Sequence, residues 1–106
     1  MERAPGLFRV YGTYGAAALN DDGSMNGADH PARRGGGLTF FGTGFGPAPS
    51  VKVQLDQTEA PVRTVVNDRG MVRIEVAVPD LPPGRYPVYF QTEVGFQAGF
   101  VEITVN

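Results

Sequence analysis

From Val72 to Val78 every second residue is β-branched: Val72, Ile74, Val76 and Val78, with Arg73, Glu75 and Ala77 between them and Met71 just ahead. Successive side chains of a strand point to opposite faces, so this is the pattern of a strand buried on one side only. A helix would scatter the same four residues around its circumference. Val51, Val53 and Leu55 alternate with Lys52, Gln54 and Asp56 in the same way, and Val101, Ile103 and Val105 alternate with Glu102 and Thr104. Tyr86, Val88 and Phe90 make a further run, and Leu38 with Phe40 an earlier one. Pro61 to Val66 is a weaker run whose leading proline suits the first residue of a strand. Leu7 to Val10 and Tyr14 to Leu19 are the remaining candidates. Ala16, Ala17 and Ala18 would tolerate helix, but flanking glycines and the short span argue against one.

Turn chemistry separates these runs. Asp21-Asp22-Gly23-Ser24 supplies a glycine for positive φ, and Leu81-Pro82-Pro83-Gly84 places Pro and Gly where a tight reversal wants them. Of the 106 residues, 15 are Gly and 9 are Pro, and they fall between the apolar runs, as turn residues do. Short, evenly spaced strands without a helical stretch predict an all-β chain: an antiparallel sandwich of about seven strands, with the apolar faces of two sheets meeting. The length suits one domain, residues 1–106.

The chemistry available to this chain is sparse. It has no cysteine and one histidine, which removes disulfides, thiolate catalysis and cysteine-ligated zinc. The formal charge of −2 gives no global field to recruit nucleic acid or an anionic membrane, and Arg33-Arg34, even joined in space by Arg63 and Arg69, would add only a local basic patch. No run reaches the roughly 20 apolar residues of a membrane-spanning helix. Residues 1–30 lack a signal peptide's basic start and apolar run, so an export signal is expected upstream, in a larger parent chain.

Asn20-Asp21-Asp22-Gly23-Ser24-Met25-Asn26, with Asp29 nearby, gathers oxygen ligands as a calcium loop would. The spacing departs from an EF-hand, because the sixth position from Asn20 is Met25 and the twelfth is Pro31. A hairpin in which Asx side chains cap backbone amides is the simpler expectation, and no cofactor or metal is assigned. Asn26-Gly27 is also a deamidation-prone pair. His30 and the serines Ser24 and Ser50 come without a nucleophile elbow, so no catalytic residue is assigned and the chain is not read as an enzyme. The glycine runs 35–37 and 42–46 match no phosphate-loop spacing. Lys52, the single lysine, alternates outward from Val51 and Val53, away from the dry core in which a Lys isopeptide bond would form.

Aromatic side chains offer the clearest contact candidates. With Leu38 and Phe40 inward, Phe41 points outward, and Tyr89 and Phe100 are likewise out of phase with their strands' apolar positions. Together with Tyr14 they are candidates for stacking on sugar rings or for protein contact, unless a neighbouring domain or the N-terminal segment covers them.

The run Gly35-Gly36-Gly37-Leu38-Thr39-Phe40-Phe41-Gly42-Thr43-Gly44-Phe45-Gly46 resembles the opening of an IPT/TIG immunoglobulin-like domain, in which a glycine-rich turn leads into a strand closed by Gly-Thr-Gly-Phe. Nearly the whole chain is similar to the second half of a tandem domain at the C-termini of large, secreted, mostly uncharacterised bacterial proteins. Ala4-Pro5-Gly6-Leu7-Phe8, then Ala18 to Asn26 followed by Pro31-Ala32, then Thr43-Gly44-Phe45-Gly46, and finally Val78-Pro79 through Pro83-Gly84 carry that likeness in order. The chain departs where such domains show a Gln-x-Asn pair, having Arg73 and Glu75 instead, so no role of that amide pair transfers. The resemblance implies an Ig-like sandwich and a bacterial cell-surface or secreted setting. It also implies a structural, spacer or adhesive part in a larger chain, with neighbouring domains or other surface proteins as partners. A carbohydrate-binding module, or an accessory domain of an extracellular enzyme, is the alternative.

Overall fold

The computed structural model of the chain describes residues 6–7, 18–43, 51–92 and 95–106. Among these residues all regular elements are strands, in the order β1 (Gly6–Leu7), β2 (Ala18–Asn20), β3 (Gly37–Thr43), β4 (Lys52–Leu55), β5 (Thr58–Ala60), β6 (Val62–Asp68), β7 (Met71–Ala77), β8 (Gly84–Thr92) and β9 (Gly95–Val105). They form two sheets, one ordered β1-β3-β7-β6 with β2 also on β3, the other ordered β5-β4-β8-β9, and every strand pairing is antiparallel. Since β1 pairs with Gly42 and Thr43 and β2 with Leu38 to Phe40, the two share one edge of β3 end to end. The first sheet is thus four strands wide.

In chain order this is the immunoglobulin arrangement: an A-B-E-D sheet, with β1 and β2 as a divided first strand, facing a C′-C-F-G sheet. Among the described residues there are nine strands against the seven expected, because the first strand is divided and because β5 is too short for an alternation to reveal. At Pro61, between β5 and β6, the chain changes sheets. Proline has no N–H to offer a ladder, and here its carbonyl accepts the Ala77 N–H at 2.8 Å.

The alternations land as the periodicity requires. Leu38 and Phe40 on β3 stand opposite Val76 and Ile74 on β7, and all four are buried. From the other sheet Val53, Leu55, Val88, Phe90, Ile103 and Val105 close the core. Each such side chain contributes roughly 1.5–3 kcal/mol by leaving water. Strand β6 differs, carrying only Val62 and Val65 half-buried against the core while Thr64, Val66 and Asp68 face outward.

Three connections show how turn geometry sets register. Between β6 and β7, Arg69 (φ 55°) and Gly70 (φ 91°) both take the left-handed conformation, the signature of a two-residue type I′ hairpin, and Asn67 Oδ1 accepts the Gly70 N–H. Gly23 (φ 85°) closes the 21–24 turn, its N–H donating to the Asn20 carbonyl. In the crossing from β7 to β8 the Tyr86 hydroxyl donates to the Pro82 carbonyl at 2.5 Å. A tyrosine near the start of the F strand, bonded back to the corner before it, is the tyrosine corner of immunoglobulin sandwiches.

Gly6 lies opposite Thr43 at one end of β3, whereas Val105 pairs with Gly84 and bridges Ala32 near the other. With seven residues in β3, the two ends are roughly 20 Å apart along the strands.

Candidate contact faces and the pinned loop

The polar loop 20–37 is built from side chains that satisfy backbone. Asp21 Oδ1 accepts the Gly37 N–H, and Asp22 Oδ1 accepts both the Ser24 N–H at 2.9 Å and the Ser24 hydroxyl at 2.5 Å. The Ser24 hydroxyl first, and then its N–H, hold the Asp22 carboxyl below its ordinary value, with His30 adding a smaller pull in the same direction. A Cβ on Gly36 or Gly37 would come within 2.5 Å and 2.7 Å of the Asp21 carboxylate oxygens, so a side chain at either position would push that carboxylate off the Gly37 N–H. The expected Asx-capped hairpin is therefore present, and it extends further than the 21–24 turn alone.

Its anchor is Asn26, buried to 6% exposure. Its Nδ2 donates to the Thr104 carbonyl at 2.9 Å and to Asn20 Oδ1 at 3.0 Å, while its Oδ1 accepts the Thr104 N–H at 2.8 Å. Ala32 continues the contact, its N–H donating to the Thr104 carbonyl and its carbonyl accepting the Asn106 N–H. One side-chain amide thus does the work of a strand residue, tying the loop to the last strand across 78 positions of sequence. The sequence marked Asn26 only as part of an oxygen-rich loop and a deamidation-prone pair. Nothing local signals a partner that distant.

Asn20, Asp21, Asp22, Pro31 and Arg33 line a shallow depression of about 170 Å³. That is smaller than the roughly 300–1,000 Å³ of ligand pockets. Asp29 is exposed and is not part of its wall. Among the described residues no three Asp, Glu or His side chains converge as metal ligands would.

The aromatic candidates divide between faces. Phe41 is half-buried on the outer face of the first sheet, opposite Arg73. Tyr89 is half-buried on the outer face of the second, between Gln54 and Ala98, with Glu59 next beyond Gln54. Since the two sheets pack core to core, these rings point in opposite directions and share no platform. Tyr14 lies outside the described residues, and Phe100 sits on β9 where only the backbone is described.

The arginines separate too. Arg33 and Arg34 flank the loop at the Val78 end, where Arg34 pairs with Asp80 at 3.4 Å, and Arg63 lies on β6 near Gly37 and Glu75. Arg69 occupies the β6–β7 turn at the opposite end of β7. The four form no joint basic patch. Lys52 is exposed and Val51 and Val53 are buried, as the alternation requires.

No family model, curated protein or solved structure matches the chain. Its architecture and its side chains carry the functional reading.

Proposed function

We propose that this chain is a non-catalytic structural and interaction module of a bacterial cell-surface or secreted protein, serving as a load-bearing spacer. The supporting observation is the placement of its terminal strands. β1 is hydrogen-bonded into one sheet at one end of the sandwich, and β9 leaves the other sheet at the opposite end. Tension applied through the two ends pulls each strand along its own axis, so hydrogen bonds on β3 and β8 are loaded together in shear rather than unzipped singly. The Asn26 and Ala32 bonds to β9 add to that load path. The bacterial, exported setting rests on the IPT/TIG-type resemblance of the loop and strand motifs.

Single-molecule pulling of the chain between two well-characterised domains tests this. Resistance at forces typical of sheared sandwiches, lowered in Asn26→Ala, is expected. Extension at the low force of an unzipping hairpin would overturn the load-bearing reading.

Carbohydrate binding is the second reading, favoured by the row Glu59, Gln54 and Tyr89, which sets a ring beside amide and carboxylate groups on one flat face. Retention on a polysaccharide panel, lost in Tyr89→Ala with thermal stability unchanged, would establish it. Absence of retention would remove it.

A further inference from the structure

Asn26 is the one asparagine followed by glycine; Asn20 and Asn67 are each followed by aspartate. A glycine in that place lets the next backbone nitrogen swing onto the asparagine side chain, because no Cβ crowds the approach. The backbone itself does not call for Gly27. It lies outside the left-handed region that favours glycine, and a Cβ added to it would meet nothing within 4 Å. Asn26, by contrast, is fixed by the fold, and it is the buried polar side chain among the described residues. A reactive pair thus sits at the anchor of the loop without a need of the backbone to account for its glycine.

Both reacting groups are held apart in the folded chain. The Asn26 Nδ2 donates to the Thr104 carbonyl and to Asn20 Oδ1, and its Oδ1 accepts the Thr104 N–H, so the side chain is directed onto β9. The Gly27 N–H donates to the His30 carbonyl at 3.2 Å and the His30 N–H returns to the Gly27 carbonyl at 3.1 Å, which turns the nitrogen into its own loop. Asn20 couples the two restraints. Its Oδ1 takes the Asn26 amide, while its Nδ2 donates to the His30 carbonyl at 2.7 Å and to the Ser24 hydroxyl at 3.1 Å. Each bond of ordinary strength makes a released Asn26 severalfold rarer, so its three bonds together make it at least about a hundredfold rarer.

We propose that Asn26 is a self-modification site gated by docking of the loop on β9: inert while docked, it reacts with Gly27 once released, and its product does not dock again. In the released loop the deprotonated Gly27 nitrogen bonds to Asn26 Cγ, and the side-chain nitrogen takes up protons from water and leaves as ammonia, closing a succinimide. Water then opens that ring at either carbonyl, giving aspartate or isoaspartate, with no change of oxidation state. Aspartate sets a carboxylate, which has no proton to donate, against the Thr104 carbonyl and Asn20 Oδ1. Isoaspartate in addition lengthens the main chain by a methylene between position 26 and Ala32, which also bonds Thr104. A transient release of the loop is thereby made permanent. This rests on the bonds of the loop alone and is independent of the load-bearing reading.

The test is the rate of deamidation at Asn26 in mildly alkaline buffer, followed by the mass gained when NH2 is exchanged for OH and by chromatographic separation of the aspartate and isoaspartate peptides. The folded chain should react at least about a hundredfold more slowly than the same chain in guanidinium chloride. Asn20→Ala, at a temperature where circular dichroism shows it folded, should speed the folded-state reaction at least about fivefold and leave the denatured rate unchanged. Gly27→Ala, which the structure accommodates, should keep the wild-type melting temperature and slow the denatured reaction at least about tenfold. Chain deamidated in denaturant and then refolded should melt below untreated chain, as Asn26→Asp does. A folded rate within a fewfold of the denatured one, no acceleration in folded Asn20→Ala, or deamidated chain that melts with the wild type would each overturn the proposal. A denatured rate unchanged in Gly27→Ala would overturn the part given to the glycine.

Discussion

The Asn26 side-chain amide meets the Thr104 peptide from both sides, donating to its carbonyl at 2.9 Å and accepting its N–H at 2.8 Å. Removing that amide takes away three hydrogen bonds at once: the Thr104 N–H and Asn20 Oδ1 lose this partner, and the Thr104 carbonyl is left with the Ala32 N–H alone. Asn26→Ala should therefore destabilise the fold by about 2–4 kcal/mol, more than a typical single hydrogen bond. Asn26→Asp should cost at least as much, because a carboxylate cannot donate to the Thr104 carbonyl or to Asn20 Oδ1. Urea unfolding with an unchanged m-value would check both.

Asp22 gives the loop a dependence on acid. The Ser24 hydroxyl and N–H stabilise its charged form in the folded chain, so its folded pKa lies below its unfolded one. The resulting stabilisation is present above the unfolded aspartate value, and it is lost as pH falls through the lower, folded value. Wild type should lose stability relative to Asp22→Asn from roughly pH 4 downward, near the ordinary aspartate pKa. The two should run parallel at neutral pH. Thermal melts across that range would show it, and a difference confined to higher pH would contradict it.

Most of the sandwich could be read from the sequence because one face of each long strand is dry: Val72, Ile74 and Val76 on β7, or Val53 and Leu55 on β4, report their own burial by alternation. β5 could not be read, since in Thr58–Ala60 only Ala60 is buried, and two exposed residues followed by an alanine carry no period. The Arg69-Gly70 hairpin left a local trace in Asp68-Arg69-Gly70, but arginine is an unusual occupant of a left-handed position. Tyr86 was visible as a core-phase aromatic, whereas its bond to Pro82 depends on how the corner folds. The contact residues were least legible. Alternation shows that Phe41 and Tyr89 point away from the core, but only the assignment of β3 and β8 to different sheets shows that they point away from each other.

Arg69 is held at φ 55° by the type I′ geometry its turn requires. A Cβ in that region costs about 1–2 kcal/mol relative to the right-handed conformation, and asparagine and glycine bear that cost more easily. Arg69→Asn, which creates an Asn-Gly pair at the turn, should stabilise the fold by about 0.5–1 kcal/mol. A raised melting temperature with an unchanged circular dichroism spectrum is the expected observation, and a lowered one would mean that the Arg69 side chain makes a stabilising contact.

Tyr86 offers a test of how the second sheet is aligned on the first. Its hydroxyl bonds to Pro82, four residues earlier, while its ring packs against the core beside the start of β8. Tyr86→Phe keeps the ring and deletes only the bond, leaving the Pro82 carbonyl able to take water because the site is partly exposed. The loss should be about 0.5–1.5 kcal/mol, the ordinary net value of one hydrogen bond. Tyr86→Ala removes the ring as well and should cost about 3–5 kcal/mol if the ring behaves as a core aromatic. The difference between the two variants separates bond from packing. If Tyr86→Phe proved as damaging as Tyr86→Ala, the hydroxyl would be what holds the corner, and the ring's burial would be its consequence.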